Sequence, residues 1–205
     1  AIGNEALRYN TTGALNTAVG VSALSANTTA SSNTAVGRRA LYSNTTGPNA
    51  TAIGYLALLS NTTGTENTSV GTSSMQSNTT GGNNTALGYS ALNSNVSAGA
   101  VVAVGGYALT NSTGASNTAC GYYAGQTTTS GTGNTMLGYY AHGSSATASN
   151  EFTLGGGNVG NLRCNDTSIS ALSDQRDKAD IVDSPYGLDF INTVRPVQFL
   201  WDTRD

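Results

Sequence analysis

A short apolar residue followed by glycine recurs along this chain at a nearly constant interval. In most units alanine and leucine come three and four places after the glycine, and in four units an Asn-Thr-Thr-Gly segment follows them. The interval is a 17-residue step in eight of nine cases and is shorter by one in the remaining case, between the glycines Gly3, Gly20, Gly37, Gly54, Gly71, Gly88, Gly105, Gly121, Gly138 and Gly155. A fixed short period predicts structural units that bury their apolar faces only against one another, which is the principle of a solenoid.

The composition of the unit predicts β-coils. Thr, Val, Asn, Gly and Ser dominate, most of them poor helix formers, and a 17-residue unit is too short for a pair of helices. We expect two short extended stretches in each unit, around Thr-Ala-Val and around Ala-Leu, separated by turns at Asn-Thr-Thr-Gly. At a strand spacing of ~4.8 Å, ten coils form a rod about 45–50 Å long. The fold class is therefore an all-β solenoid of 17-residue repeats over residues 1–155.

The turns give two further expectations. Asn111 follows Leu109 after one residue where other units have two, so the one-residue deletion is expected in a turn, outside the apolar positions. The turn asparagines match the pattern of glycosylation acceptors, but their repetition favours a side-chain ladder that caps successive turns. These residues are Asn10, Asn27, Asn44, Asn61 and Asn78.

Charge divides the chain near residue 150. Only five residues are charged before that point, whereas positions 151–205 hold the other 14 of the 19 charges. The formal net charge of −3 makes nucleic acid a poor partner. No run approaches the length of about 18 apolar positions that a membrane helix needs, and no basic segment precedes an apolar run at the start, so we expect neither membrane insertion nor a signal peptide. The opening in the middle of a unit, at Ala1-Ile2-Gly3, suggests a piece of a longer protein.

Few residues offer metal or redox chemistry. Cys120 occupies the apolar position before a repeat glycine, which predicts a small buried hydrophobe, with a disulfide to Cys164 as the alternative. The single histidine, His142, stands where most units place leucine or methionine, and we expect it to be structural. Without a spaced set of ligands, no metal and no cofactor are expected.

Each coil offers three or four small apolar side chains, which is a thin core for a chain that must order a whole 17-residue unit. Packing identical apolar faces of several copies together would stabilise the rod, although the residues alone do not choose between two copies and three. Tyrosines one or two places after the repeat glycines would form columns, which either pack a subunit interface or present flat faces to a receptor such as a sugar. The candidates for receptor contact are Tyr107, Tyr123 and Tyr140.

Beyond residue 155 the pattern changes. A glycine cluster over residues 155–160 indicates a junction, and residues 156–172 are interpreted as a linker. Ser184-Pro185 is typical of a helix start, and Pro196 of a helix end. Residues 197–201 then alternate as in a strand. Residues 173–205 therefore predict the start of a different, mixed α/β module, truncated at the end of this sequence.

Two resemblances give these patterns a context. The glycine-repeat ladder resembles the left-handed β-roll heads of trimeric autotransporter adhesins and the repeat-bearing shafts of bacteriophage tail fibres, which implies a homotrimer. Ser173-Asp174-x-Arg176-x-Lys178, followed by Gly187-Leu188-Asp189-Phe190-Ile191-Asn192 and Arg195-Pro196-Val197, resembles the opening of the endosialidase-type C-terminal intramolecular chaperone. That family assists trimerisation of β-rich tail spikes and fibres, and many members then release themselves by cleavage.

The chaperone resemblance implies a serine–lysine dyad at Ser173 and Lys178, with the cut after Leu172. A lysine can take the serine proton if desolvation or nearby positive charge lowers its pKa, and Arg176 would supply such a charge. The spacing alone favours the alternative that Ser173 caps a turn and that the charges form a solvated face. Enzymatic activity is thus limited to one self-directed cleavage, with no external substrate.

The leading hypothesis is a virion structural protein, the distal part of a homotrimeric tail or receptor-binding fibre. Its partners would be other virion tail proteins and a glycan or protein receptor on the host surface. A cellular trimeric adhesin head is an alternative, although no heptad pattern follows residue 155. An ice-binding solenoid would need a flat Thr-x-Thr face, whereas these threonines are expected to cluster in turns. A glycan-cleaving spike would need paired carboxylates, which the repeats lack.

Overall fold

A computed structural model describes residues 1–157 and Val159, and these residues form a parallel β-solenoid. Each coil contributes one short strand to a nine-stranded parallel sheet whose strands lie in chain order. The strands are β1 Thr17–Val19, β2 Thr34–Val36, β3 Thr51–Ile53, β4 Thr68–Val70, β5 Thr85–Leu87, β6 Val102–Val104, β7 Thr118–Cys120, β8 Thr135–Leu137 and β9 Phe152–Leu154. The all-β solenoid with a 17-residue repeat is confirmed. The predicted linker and chaperone segment lie almost wholly outside the described residues.

The repeat glycines lie directly above one another. Gly54, for example, has φ +136°, and a Cβ built on it would lie 2.6 Å from the carbonyl oxygen of Gly71 in the next coil. Gly105 has φ +125°, and its Cβ would lie 2.5 Å from the carbonyl oxygen of Gly121. These positions combine a backbone conformation that favours glycine with a separation between coils that leaves no room for a side chain. Glycine is therefore required once per coil, which explains the period.

The prediction of a second extended stretch around Ala-Leu is wrong. The leucine of this segment has positive φ, as at Leu24 (52°) and Leu58 (52°), and so does the residue two places before it, as at Leu56 (58°). Because every second residue has positive φ, this segment is tightly curled and not extended. Its backbone N–H groups still form hydrogen bonds to the next coil, as Leu24 N–H does with the carbonyl of Ala40 at 3.0 Å. The non-glycine residues with positive φ include no Val, Ile or Thr, because β-branched side chains fit that region worst.

The core is a set of vertical columns of small side chains. The middle residue of each strand points inward, and the Ala-Leu pair after the glycine completes the interior. The leucine column is fully buried at Leu24, Leu41, Leu58, Leu92 and Leu109, with Met75 in line. Two alanines and one leucine per coil make a thin core, as expected from the sequence.

Asparagine columns complete the interior, and the predicted ladder is confirmed. The side-chain amide of Asn61 donates to the Oδ1 of Asn44 at 2.9 Å and to the carbonyl of Gly64 in its own turn, also at 2.9 Å. Asn78 repeats both bonds on Asn61 and Gly81, at 2.9 Å and 3.0 Å. The amides therefore cap their own turns and link successive coils. Asn27, Asn44, Asn61 and Asn78 are fully buried, so their side chains are not accessible as glycosylation acceptors.

The deletion lies in a turn, but not at the place that the Asn-Thr spacing indicated. Ser112, three places after Leu109, is fully buried and takes the ladder position, whereas Asn111 is exposed. The missing residue therefore falls between Ser112 and Gly114. In the next coil Thr128 takes the same position and is 1% exposed. The hydrophobic columns continue across this point because only turn residues are affected.

The outer face of the sheet carries two columns that contradict sequence expectations. The first residue of seven of the nine strands is threonine, so an ordered threonine column exists on the strands and not only in the turns. The third residue is apolar in every strand and points outward, from half-buried Val19 to Leu154, which is 45% exposed. Cys120 belongs to this column and is exposed. The prediction of a buried cysteine is wrong, because strand alternation turns the residue before the glycine away from the core.

Alanine in place of Gly105 should destabilise the solenoid strongly. The new Cβ would overlap the carbonyl oxygen of Gly121 and would hold a non-glycine residue at φ +125°. We expect a loss of more than about 2 kcal/mol, seen as a fall of at least about 5 °C in Tm by circular dichroism. Gly106→Ala is the matched control, because its Cβ would meet only the Tyr122 side chain, at 3.1 Å. Equal Tm values for the two variants would contradict the stacking argument.

Candidate aromatic binding surface

Tyr107, Tyr123 and Tyr140, the predicted receptor-contact residues, form one continuous stack. Each lies two places after a repeat glycine, with φ between 52° and 59°. The ring centroids of Tyr107 and Tyr123 are 4.8 Å apart with an angle of 9° between the ring planes, and those of Tyr123 and Tyr140 are 4.8 Å apart at 27°. The spacing equals the rise of one coil, so the solenoid itself sets the stacking distance.

A second tyrosine column lies beside the first, one position closer to the glycines. Tyr122 and Tyr139 are parallel to within 7°, with centroids 6.2 Å apart, and each meets its neighbour of the first column edge to face. Tyr122 is 48% exposed and Tyr139 is 66% exposed, compared with 36% for Tyr140. The second column therefore offers more ring surface than the predicted residues. Its sequence signal was the tyrosine directly after the glycine.

Two phenols of the first column, those of Tyr107 and Tyr123, have a raised pKa. The hydrogen bond with the Tyr122 hydroxyl, together with burial and neighbouring phenols, raises the pKa of Tyr123 to about 12. Burial, and then the contact with Tyr89, raises the pKa of Tyr107. Crowded phenols resist ionisation because each new negative charge would lie beside another hydroxyl oxygen. The surface is therefore aromatic, polar at its edge and uncharged.

Both tyrosine columns stop at glycines in the last described coil. Gly156 and Gly157 occupy the positions that Tyr139 and Tyr140 hold in the coil before. A cavity of about 660 Å³ opens there, lined by the two tyrosines, the glycines Gly138, Gly155, Gly156 and Gly157, and Val159. The last pair of rings thus faces an open space in place of a further pair.

His142 lies at the end of the leucine column and packs edge-on against Tyr140, with ring centroids 5.7 Å apart. Its Nδ1 is buried without a hydrogen-bond partner among the described residues, and burial lowers the pKa of the imidazole. The neighbouring carboxylate, Glu151, is engaged by Ser144, whose backbone N–H donates to it at 2.7 Å. His142 thus follows the leucine column in sequence position but is only half-buried, at the end of the core.

Other chemistry predicted from the sequence lies elsewhere in the chain. Ser173, Lys178 and the Leu172 cleavage point are outside the described residues. Within residues 1–157, no three side chains of the His, Cys, Asp and Glu type come together to hold a metal ion. In the same part of the chain, no helix has the length and apolar character needed to cross a bilayer.

Comparison with known proteins adds no relative. No protein-family model matches the sequence, and neither a curated protein nor a solved structure resembles it significantly. The functional argument therefore depends on the geometry of the coils and on the sequence patterns.

Leucine in place of His142 is expected to remove an acid-dependent loss of stability. Because the folded imidazole has a lowered pKa, the unfolded chain binds this proton more readily; stability is complete above about pH 6.5 and declines as the pH falls from there through the folded pKa. Leucine does not titrate and continues the column. Thermal unfolding at pH 7.5 and pH 5.5 should show a smaller loss of Tm for His142→Leu than for the parent chain.

Equal losses in the two proteins would contradict this role of His142. Titration of Glu151 does not affect the Tm difference between these two pH values, because the hydrogen bonds from Ser144 lower its pKa below the ordinary 4.5. Its stabilising contribution is lost only at pH values below that window.

Proposed function

We propose that this chain forms the shaft of a homotrimeric fibre, with the outer face of its nine-stranded sheet turned towards the threefold axis. The supporting observation is the apolar column at the third position of every strand. Its nine members are Val19, Val36, Ile53, Val70, Leu87, Val104, Cys120, Leu137 and Leu154. A regular apolar stripe of this length is unfavourable in water and is typical of an interaction surface.

The distribution of charged residues also favours the outer face of the sheet as the trimer interface. No outward residue of the nine strands is charged. Residues next to a threefold axis meet their own copies, so a charge there would face two like charges. The charged residues of the coils lie after the glycines or in turns, as Arg38, Arg39 and Glu66 do. The sheet face is thus suited to contact with identical chains.

The resemblance to tail-fibre shafts and to the fibre chaperone gives the trimer its role. We place the protein in the virion, in the distal part of a tail or receptor-binding fibre, in contact with other tail proteins and with a glycan or protein receptor on the host. Residues 173–205 would begin the chaperone that assists trimerisation and would cut the chain after Leu172. A thin, neutral and repetitive shaft suits a mechanical and binding role.

The threonine column favours a second candidate, an ice-binding solenoid. Thr17, Thr34 and Thr51 pair in register on successive strands, so their side chains form an evenly spaced outward row. The row beside it is apolar, which gives a Thr-x-Val surface in place of Thr-x-Thr. If the chain were a monomer, this flat face would be open to water.

Aspartate in place of Val70 is expected to break the trimer. Light scattering after size exclusion should give three times the 20.7 kDa chain mass for the parent protein, and Val70→Asp should shift it towards one chain. Val96→Asp is the matched control, because Val96 is 47% exposed and lies in a turn away from the sheet. A monomeric parent chain that shows thermal hysteresis would favour ice binding instead.

Cys120 should locate the axis in the same protein. Near a threefold axis the three copies of this residue lie at one height, within the Cα separation of about 4.4–6.8 Å that a disulfide requires. In a Cys164→Ser background, mild oxidation should give disulfide-linked dimers on denaturing gels, and Cys120→Ser should abolish them. Trimers without this cross-link would place the axis on another face.

Mass spectrometry of the complete fibre product tests the chaperone segment. We expect a new N-terminus at Ser173, produced in the parent protein and absent from Ser173→Ala and Lys178→Ala, because either change removes one member of the dyad. An intact chain in correctly assembled parent protein would remove the self-cleavage while leaving the fibre unaffected.

A further inference from the structure

The two tyrosine columns end at an open position beside Tyr139 and Tyr140. Tyr139 stacks on Tyr122 with one face, and Tyr140 stacks on Tyr123 with one face. On the side of the next coil the corresponding residues, Gly156 and Gly157, carry no side chain. The cavity of about 660 Å³ lies between these rings and Val159. Its size falls within the range of about 300–1,000 Å³ typical of small-molecule sites.

Glycine alone does not make the opening, because two of the glycines in these positions of the described coils are closed. At Gly106 a built Cβ would lie 3.1 Å from Cδ2 and 3.2 Å from Cε2 of Tyr122, so that ring occupies the space. At Gly156, which shares the repeat position of Gly106, a built Cβ would lie 2.8 Å from the backbone oxygens of Tyr139 and Tyr140, whereas at Gly157 it would meet no described atom within 4 Å. The open position is therefore confined to the neighbourhood of Gly157, beside Tyr139 and Tyr140.

We propose that this open position binds a neutral sugar ring, whose flat apolar face stacks on Tyr139 and Tyr140. The inference deepens the receptor-binding role proposed above and depends on it for its biological setting. A sugar ring presents apolar C–H groups on its face and hydroxyls at its edge. The cavity offers the matching arrangement, ring faces surrounded by phenol hydroxyls and glycine backbone groups.

Charge narrows the class of ligand. Among the described residues, those that line the cavity include no carboxylate and no cation. The side chains of the adjoining columns are tyrosines, so the described surface presents no cationic side chain to an acidic sugar. The site therefore favours a neutral hexose or N-acetylhexosamine over a sialic acid or a sulfated sugar.

The test is a titration of the full chain with neutral tetrasaccharides of glucose, galactose and N-acetylglucosamine, followed by saturation-transfer NMR and calorimetry. At least one should bind, and sialyllactose should bind less well. Tyr139→Ala should weaken the affinity about tenfold by removing one stacking face. Gly157→Tyr should abolish binding, because its side chain would fill the open position without meeting any atom near its Cβ.

Tyr55→Ala is the matched control and should leave the affinity unchanged. Tyr55 occupies the same repeat position as Tyr139, but the guanidinium of Arg38 lies 5.7 Å from its ring centroid and the cavity is several coils away. Failure of every neutral sugar to bind, or binding that survives both Tyr139→Ala and Gly157→Tyr, overturns the proposal. Binding of N-acetyltyrosinamide with the same variant dependence, in preference to sugars, would assign the position to a protein side chain and overturn it as well.

Light scattering distinguishes a failure of the sugar-site proposal from a failure of the trimeric-fibre proposal. A trimer that binds no sugar overturns the sugar site alone, whereas a monomer that binds a neutral sugar removes the fibre and keeps the site.

Discussion

The close approach of one coil to the next at the repeat glycines is the constraint on which the rest of this structure depends. Carbonyl oxygens lie 2.4–2.6 Å from where a Cβ would stand at eight successive glycines, from Gly3 to Gly121, so any other residue there would push the coils apart. Backbone hydrogen bonds between coils require the same separation. Every other residue must then recur in register, and side chains become columns. Identical residues are favoured within a column, because an amide hydrogen-bonds to the amide of the next coil and a ring stacks on the ring of the next coil.

Substitutions inside such columns are tolerated where a neighbour compensates. Gly125 interrupts the leucine column, and Met136 in the adjacent coil fills the space, since a Cβ on Gly125 would lie 3.0 Å from the Met136 methyl carbon. Ser69 and Ser74 replace two core alanines of one coil and hydrogen-bond to each other, with Ser69 Oγ also donating to the Ser74 carbonyl at 2.9 Å. Buried hydroxyls that satisfy one another cost little. The core thus keeps its volume and its hydrogen bonds, although the repeat is imperfect.

The sequence predicts which residues lie above one another in successive coils better than it predicts whether their side chains face the core or the solvent. Period and composition were enough for the solenoid, the Ala-Leu core and the asparagine ladder, because each depends only on which residues lie above one another. They were not enough for Cys120 or for the Ala-Leu segment. A short strand turns its first and third residues outward, so the apolar residue before each glycine leaves the core, and nothing in the residue type of Leu24 and its equivalents indicates a positive φ. The open position beside Tyr139 depends on which glycines leave empty space, and that is a property of the packed coils.

The solenoid changes its internal support at the one-residue deletion, and the candidate site follows from that change. Up to Asn95 one column of buried amides links successive coils, and beyond it Ser112 and Thr128 are too short to continue that column. The second amide column continues through buried Asn117, whose Oδ1 accepts from the Asn134 N–H at 2.9 Å. In the same coils the stack of Tyr107, Tyr123 and Tyr140 begins on the outside. A surface column of aromatic rings thus adds contacts between coils where one of the two interior amide columns has ended. An interior ladder can end at a turn without exposing a side chain. A surface stack leaves the face of its last ring uncovered, and a flat ligand can stack on that face.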